Sequence, residues 1–547
     1  MANAVVNIEQ SSVYEIMYKI ANGKWGARIP NLSTLYSVIS EIPQTDYDAA
    51  HLMYEAFENR IHYNGSAGWY EWNGRVHELD RTDTLGAGLV GRFIRAMESV
   101  LEAIEAEILS WPDAEDQQKA AKIVAPVRSY VDKVKGNGGT RNLAEYLKSV
   151  FRVDNNYFDR DTQWIVMEDG GVLDMGRTLA FEEPVIMDPD PSRPVTRHLG
   201  VSIDEDTSDT PVEFLRLLRA TVSNDEEVEY LQTAAGAAIM GTGTAKNIPH
   251  LVGPPHTFKS VYLNVLDEVF GTYSGTLPAT ALVARYGGGT NFAQSRARGV
   301  RFLWLSEPQT TRTDDAFLKN LSGGGEPINT EEKGKDSVAW YAQCVLHIAA
   351  NHVLRFDSRD SAIVSRMNIV EFHNQVKEED INPRLAEELV EREGEEIFMW
   401  ALRGAIKYSK RGSIKVPKSV KDRAQSHVVS SSQPMRWLEE MQDSGEYVLS
   451  TEVPAYKCVK VKDAFQAFRM WCMDNMEDLK MNQATWLKEV YRYLETPPEK
   501  QNVKARNVRV IYGLTTPAMA AEEKGGASSE GGGRVGPGGK KWSDLVE

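Results

Sequence analysis

Hydrophobic positions divide the chain into stretches of different period. From Arg92 to Val134 apolar residues recur at helical spacing with an interruption near Trp111-Pro112, which predicts a long helical region broken once. The loop KGNGGTRN (Lys135–Asn142) is expected to end it. FDRDTQWIVMEDGGVLDM then alternates apolar and polar positions around Asp-Gly-Gly, the pattern of short strands joined by tight turns. DPDPSRPVTR (Asp188–Arg197) is too proline-rich for regular structure and reads as a linker. VEFLRLLRATV and DEEVEYLQTAAGAAIMG are helical, the second opening at Asn224-Asp225. The segments IPHLVG, KSVYLNVLDEVFG, VRFLWLSE, AFLKNLSGG, AQCVLHIAAN and MNIVEF alternate strand and helix, as an α/β domain does. A small domain from about Thr451 to Leu514 reads helix, helix, then a β pair around RVIYG.

The expected divisions are 1–205, 206–246, 247–375, 376–445 and 446–515: an α+β N-terminal domain, a helical lead-in, an α/β core, a helical segment and the small C-terminal domain. A Gly- and Ser-rich end, 516–547, is expected to be disordered.

Composition narrows the class. The chain has 547 residues, enough for three or four domains, with 42% apolar and 26% charged residues, an ordinary globular mixture. The cysteines Cys344, Cys458 and Cys472 have no paired spacing and no Cys/His cluster, which argues against zinc or a disulfide framework. With no signal-like start and no apolar run near the ~18 residues of a membrane span, the expectation is a soluble cytoplasmic protein with no membrane partner. The net charge of −16 argues against a surface that coats DNA, but leaves room for DNA in a local basic channel.

Charge is also segregated. Residues 376–396 carry nine acids, read as a solvated helical face, whereas 401–438 carry nine Lys/Arg against the single acid Asp422. Lys415, Lys418 and Lys421, with Arg506 and Arg509 further on, are candidates either for duplex DNA or for packing against the acidic helix. Glu182-Glu183 and Asp188 with Asp190 resemble a two-metal carboxylate site only superficially and read as loop residues.

One octapeptide suggests chemistry. Gly253, Pro254, Pro255, His256, Thr257, Phe258, Lys259 and Ser260 follow the apolar strand IPHLVG and open a helix with Val261, Val265, Leu266, Val269 and Phe270 on one face. This is the setting of a P-loop: backbone N–H groups and a helix N-terminus cradle phosphates. Lys259 would reach the β- and γ-phosphates of ATP, and the Ser260 hydroxyl would ligate Mg2+. Phe258 stands where glycine is usual, placing a ring near the nucleotide, and an ordinary strand-to-helix turn has much the same outline. The next strand, FLWLSE, ends in Glu307, placed to orient an attacking water and to help hold the metal. CVLHIAAN ends in Asn351, suited to sensing the γ-phosphate. Lys333 and Lys335 fall at the turn of an expected hairpin that could grip a phosphate backbone. Arg366 is a candidate for the γ-phosphate of a neighbouring subunit, with Arg359 its rival.

In this order the motifs resemble those of the superfamily 3 helicases, specifically the helicase part of phage, plasmid and poxvirus primase–helicases. GWYEWNGRVHELD, RNLAEYLKSV and GGVLDM resemble the pre-helicase region. GPPHTFKS, FLWLSE, LKNLSGGGEPI, HIAANH and DSAIVSRMNIVEF resemble the core motifs. EEIFMWALRGAIKYSKRGSIKVP and VKVKDAFQAFRMWCMDN through RVIYGL resemble the collar and the C-terminal winged helix.

The resemblance implies a multidomain α/β fold: a superfamily 3 (AAA+-like) P-loop ATPase core, a mostly helical N-terminal region and a winged-helix-like C-terminal domain. It implies an ATP- and Mg2+-dependent replicative DNA helicase of a bacteriophage, acting in a host cytoplasm and moving 3′→5′ on single-stranded DNA as a hexameric homo-oligomer. A separate primase or polymerase is the expected partner, since no primase site is evident. Carried over, Lys259 and Ser260 hold phosphate and metal, Glu307 is the catalytic carboxylate, Asn351 the sensor and Arg366 the trans-acting finger; Lys333, Lys335 and Lys319 touch DNA. The sequence departs from the pattern at Phe258, at Ser365 in place of a second arginine, and at GGGE in place of GGD. Two other readings stay open: a DNA-binding initiator or scaffold ring with a decayed ATPase, and a P-loop enzyme acting on a small substrate.

Overall fold

The structure, a computed structural model, describes residues 29–282, 292–307, 314–323, 325–330, 338–354, 361–450, 453–475, 479, 481–494 and 496–521. The chain forms two compact units: 1–309 with 316–352 and 370–415, and 310–315 with 353–369 and 416–547. It is mixed helical and α/β, with a five-stranded parallel sheet. Among the described residues no helix is long and apolar enough to cross a membrane.

The first unit begins with helices Leu32–Ser40, Asp46–Ala56, Leu85–Leu109, Ala114–Lys135 and Asn137–Val150 around one apolar core. In Leu85–Leu109 the buried Leu89, Phe93, Met97, Val100, Leu101, Ile104 and Ile108 repeat at helical spacing, which buries a single stripe. The break at Trp111-Pro112 is present, with Asp113 capping the next helix through Glu115 N–H (2.8 Å) and Asp116 N–H. The loop expected at Lys135–Asn142 is not. Gly136 alone separates two helices, and Asn137 already begins the next. Gly139 explains why the glycines are there: a Cβ on it would strike the backbone of Lys133 and Val134.

Strands Ile61–Asn64, Gly68–Trp72, His77–Leu79 and Arg152–Val153 form a sheet beside these helices. The Asp-Gly-Gly hairpin pairs Trp164–Val166 with Val172–Asp174, and Ile186–Met187 adds a third strand. Residues 188–197 have no regular structure, but they form a fixed strap and not a loose linker. Val195 is buried, its carbonyl accepts from His77 N–H (2.9 Å), and Thr196 N–H donates to the Asp159 carboxylate (2.9 Å).

The parallel sheet has the order Met367–Glu371, Ile248–Val252, Val345–Ala350, Phe302–Ser306, Ser274–Thr276. In chain order these are the fifth, first, fourth, third and second strands. Ile248–Val252 and Val345–Ala350 are buried along their whole length, as interior parallel strands are. The edge strand Ser274–Thr276 is only three residues long and has no apolar pattern of its own.

Helices Asp225–Met240 and Leu385–Arg411 pack backbone to backbone. A Cβ on Gly236 would strike Ala405 and Gly404, and one on Gly404 would strike Gln232. Most of the acids from 376 to 396 are exposed as expected, but Glu393 is turned inward as a cap. The first part of the basic stretch after them is committed within the unit. Arg403 pairs with Glu183 (3.1 Å) and Asp209 (2.9 Å), Lys410 with Glu182 (2.6 Å) and Arg411 with Glu229 (2.9 Å). Glu182-Glu183 therefore neutralise cations here.

The second unit has helices Gln433–Asp443, Val461–Asp474 and Gln483–Tyr493 around Trp437, Phe468, Trp486 and Leu487. Lys460, just before the second helix, bridges antiparallel to Val510, and Lys504–Ala505 pairs with Val508–Arg509 as a hairpin. The C-terminal region expected to be disordered opens with a short helix, Pro517–Ala521; residues 522–547 lie outside the described residues.

Candidate functional site

The sheet order creates a crevice. The first strand connects across to the second at one edge, whereas the fourth connects to the fifth on the other side. Neighbouring strands whose connections leave in opposite directions open a cleft at their C-terminal ends, where α/β folds bind ligands. The loop Gly253–Ser260 follows the first strand, Asn351 the fourth and Glu307 the third, so the topology brings these three sequence candidates to one end of the sheet.

The loop is anchored at both ends. Phe372 N–H donates to the Val252 carbonyl (2.7 Å), and Val376 N–H to the His256 carbonyl (2.9 Å). Gly253 passes so close to Phe372 that a Cβ there would strike the Phe372 carbonyl. Thr257 is buried and donates its hydroxyl to the Pro254 carbonyl (2.8 Å).

Lys259 is folded back under this loop and is 5% exposed. Its Nζ donates to the carbonyls of Gly253 (2.7 Å) and Pro254 (2.7 Å) and to Thr257 Oγ1 (3.0 Å). Burial pushes its pKa below the ordinary lysine value, and the Glu307 carboxylate opposes that shift. Ser260 is exposed in the first turn of the helix Lys259–Phe270. Glu307 is also exposed, and its N–H donates to the Ala349 carbonyl (2.9 Å). Its φ of 49° is a left-handed conformation uncommon for glutamate and turns the chain sharply at the end of the strand. Asn351 is half-buried.

Phe258 has φ 60°, so the phenylalanine adopts the backbone that glycine would supply. Its ring does not join the phosphate side of the loop as expected from the sequence. It is buried (8% exposed) against Phe214, with ring centroids 6.1 Å apart, and Phe214 packs in turn on Tyr262 and Trp400. Apolar burial holds the strained backbone in place.

Other supports carried no sequence signal. Asp267, on the lysine helix, accepts Trp304 Nε1–H (2.8 Å) from the third strand and the Ser274 hydroxyl from the second. Arg301 is buried, donates to the Ile239 carbonyl (2.8 Å) and lies 4.6 Å from the centre of the Tyr273 ring.

Arg366 belongs to the second unit, where its Nη1 donates to the Ala362 carbonyl (2.7 Å) and its Nε is buried with no partner among the described residues. Lys319 is half-buried on the helix Asp315–Gly323. The expected hairpin is present as Ile328–Thr330 paired with Val338–Trp340; Lys333, Lys335 and also Arg359 lie outside the described residues. Among the described residues no group of three or more His, Cys, Asp or Glu could hold a metal ion. Magnesium at a nucleotide site needs no such cage, because phosphates and water fill most of its shell; Ser260 and Glu307 suit that role.

No protein-family model matches the chain, and no curated protein does. Among solved structures, an A-form apo structure of the NrS-1 C-terminal region aligns at TM-score 0.38 and 14% identity, covering 57% of this chain and 77% of that one. A second apo structure of that region aligns at TM-score 0.32 and 14% identity, covering 53% and 71%. At these scores the likeness carries no argument, and the functional reading rests on the chain's own topology and residues.

Proposed function

We propose that the chain is an ATP-dependent DNA helicase of the superfamily 3 type, a ring-forming motor that moves on single-stranded DNA during replication. The observation that carries this reading is Lys259, buried under its own loop and within the field of Glu307 at the crevice of a parallel sheet. A buried ammonium beside a helix N-terminus is suited to a polyphosphate.

In this reading the loop Gly253–Ser260 cradles ATP. Pro254 and Pro255 have no N–H, so the cradle falls mainly to the amides that follow them. Lys259 exchanges loop carbonyls for phosphate oxygens. Ser260 and Glu307 would hold Mg2+, which supplies charge neutralisation at the phosphates when bound. Glu307 orients the attacking water and Asn351 contacts the γ-phosphate. Arg366 serves a neighbouring subunit, and Lys319, Lys333 and Lys335 meet DNA. The 3′→5′ direction, the hexamer, the phage source and host-cytoplasmic setting, and a separate primase or polymerase rest on the motif resemblance alone. The helix, bridge, helix, helix, hairpin order of the second unit supports a winged-helix reading.

The alternative, a scaffold ring with an idle ATPase, is favoured only by Phe258 at a glycine position. ATP hydrolysis measured with and without single-stranded DNA, in wild type and Lys259→Ala, separates the two. DNA-stimulated turnover that the substitution abolishes supports the motor. No turnover in wild type supports the scaffold.

A further inference from the structure

A cavity of about 920 Å3 opens in the first unit between strands Gly68–Trp72 and His77–Leu79 and the start of helix Leu85–Leu109. It shares no residue with the loop Gly253–Ser260, and its size suits a small ligand, for which about 300–1,000 Å3 is usual. Gly88 forms part of the wall. Glycine weakens a helix, so its place in one asks for a packing reason. Gly86 has such a reason, since a Cβ there would lie 3.1 Å from Trp69 Nε1. Gly88 does not, because a Cβ there would meet nothing within 4 Å. What its missing side chain leaves is room.

The rim carries unmatched charge. Glu71 and Glu78 stand directly opposite each other on antiparallel strands, where like charges repel. Glu71 has a cation, Arg92 at 3.3 Å. Glu78 is exposed and, among the described residues, has only Asn73 Nδ2 at 3.4 Å. Asp80 is committed to the N–H groups of Thr84 and Leu85 (2.7 Å each). Arg81 is exposed and makes no ion pair among the described residues. The half-buried Trp72 adds an aromatic surface to the same cavity.

We propose that this cavity binds a guanine nucleotide. The Glu78 carboxylate accepts the two donors that guanine sets side by side, N1–H and N2–H. The base lies against Trp72 and the phosphate pairs with Arg81. Unstacked bases are held in this way, by an aromatic ring and by hydrogen bonds to their Watson–Crick edge. Adenine and cytosine place a ring acceptor beside their amino group, and a carboxylate repels it. Thymine flanks its one donor with two carbonyls. The same contacts serve a free nucleotide or one unit of a single strand. The proposal does not rest on the site at Lys259.

The test is titration calorimetry of the full chain with GMP and AMP. Wild type should bind GMP, and AMP at least about five-fold more weakly, the low end of what a bidentate base contact discriminates. Gly88→Leu fills the open space and should weaken GMP binding at least about ten-fold. It should not lower Tm, since leucine is the better helix former. Glu78→Gln, on an exposed position, should bring GMP down to the affinity of AMP. Lys259→Ala should bind GMP as wild type does, which separates this cavity from any failure of the ATPase reading. The oligonucleotide d(TTTGTTT), titrated alongside, identifies the source: tighter binding than GMP points to a strand, and weaker binding to free nucleotide. Equal affinity for GMP and AMP would overturn the proposal, as would unchanged GMP binding in Gly88→Leu or in Glu78→Gln. So would the absence of binding by both GMP and the guanine strand below about 1 mM.

Discussion

Glu393 closes the helix that carries Phe214. Its two carboxylate oxygens accept the N–H groups of Glu213 (2.8 Å) and Phe214 (2.9 Å) at the start of Val212–Thr221. Glu393 leaves helical geometry to do so, with φ −135° inside Leu385–Arg411. Phe214 then meets the Phe258 ring beneath the phosphate loop. Glu393→Ala should cost about 1–2 kcal/mol in denaturant unfolding. It should also weaken nucleotide binding measured by titration calorimetry. A variant with wild-type stability and affinity would show that the cap does not support the loop.

At Phe258 two effects oppose each other. Glycine would relieve the left-handed backbone, worth about 1–2 kcal/mol, but would lose a buried ring worth about 3–5 kcal/mol. Phe258→Gly should therefore be less stable than wild type. Phe258→Ala loses the ring and keeps the strain, so it should be the least stable of the three. Urea unfolding midpoints give the order, and alanine above glycine would contradict this account.

Lys259→Ala should abolish ATP hydrolysis and also leave the Gly253 and Pro254 carbonyls without their donor. Some loss of stability, about 1–2 kcal/mol, should accompany it. Turnover retained at the wild-type rate would remove the nucleotide assignment.

The subunit arrangement has its own test. Arg366→Ala and Glu307→Gln should each be inactive alone. Mixed, they should recover part of the hydrolysis if Arg366 acts on a neighbour's site. Absence of recovery at every ratio would place Arg366 outside the chemistry.

Acid should weaken the first unit before its carboxylates titrate. His62 is buried beside His77, with ring centroids 5.0 Å apart; burial, then the nearby His77, hold its pKa down at about 4, against an ordinary 6.5. Below 6.5 the unfolded chain takes up a proton that the folded chain refuses, so stability falls as pH drops towards 4. His62→Gln should reduce the stability lost between about pH 7.5 and about pH 5 by about 1–2 kcal/mol. His347, held near 3 by burial, keeps part of the slope in the variant. Identical losses in both proteins would mean that His62 is not buried neutral.

What the sequence showed clearly was whatever repeats at a fixed period or follows local chemistry. The stripe of Leu85–Leu109, the Asn224 cap and the four longer sheet strands are of this kind. The positions of Glu307 and Asn351 just after strands, and of Lys259 at the start of the helix that follows the first strand, were legible because apolar runs mark those strands. The misses come from contacts distant in sequence. Glu393 looked like one more solvated acid, and only its meeting with Glu213 and Phe214 makes it a cap. Gly136 and Gly139 looked like a loop because glycine favours turns, whereas close helix packing is what needs Gly139. Ser274–Thr276 has no periodicity and becomes a strand only beside Phe302–Trp304.

The glycine contact between Asp225–Met240 and Leu385–Arg411 has a consequence for synthesis. Gly236 cannot meet Gly404 and Ala405 until the whole parallel sheet between them has been made. At about 5–20 residues per second, the Ala-rich face of the first helix waits roughly 8–35 s for its partner. During that interval a surface that is buried in the finished protein is open to other nascent chains. Growth temperature and translation speed should therefore govern the soluble yield of this protein more than the stability of its finished fold.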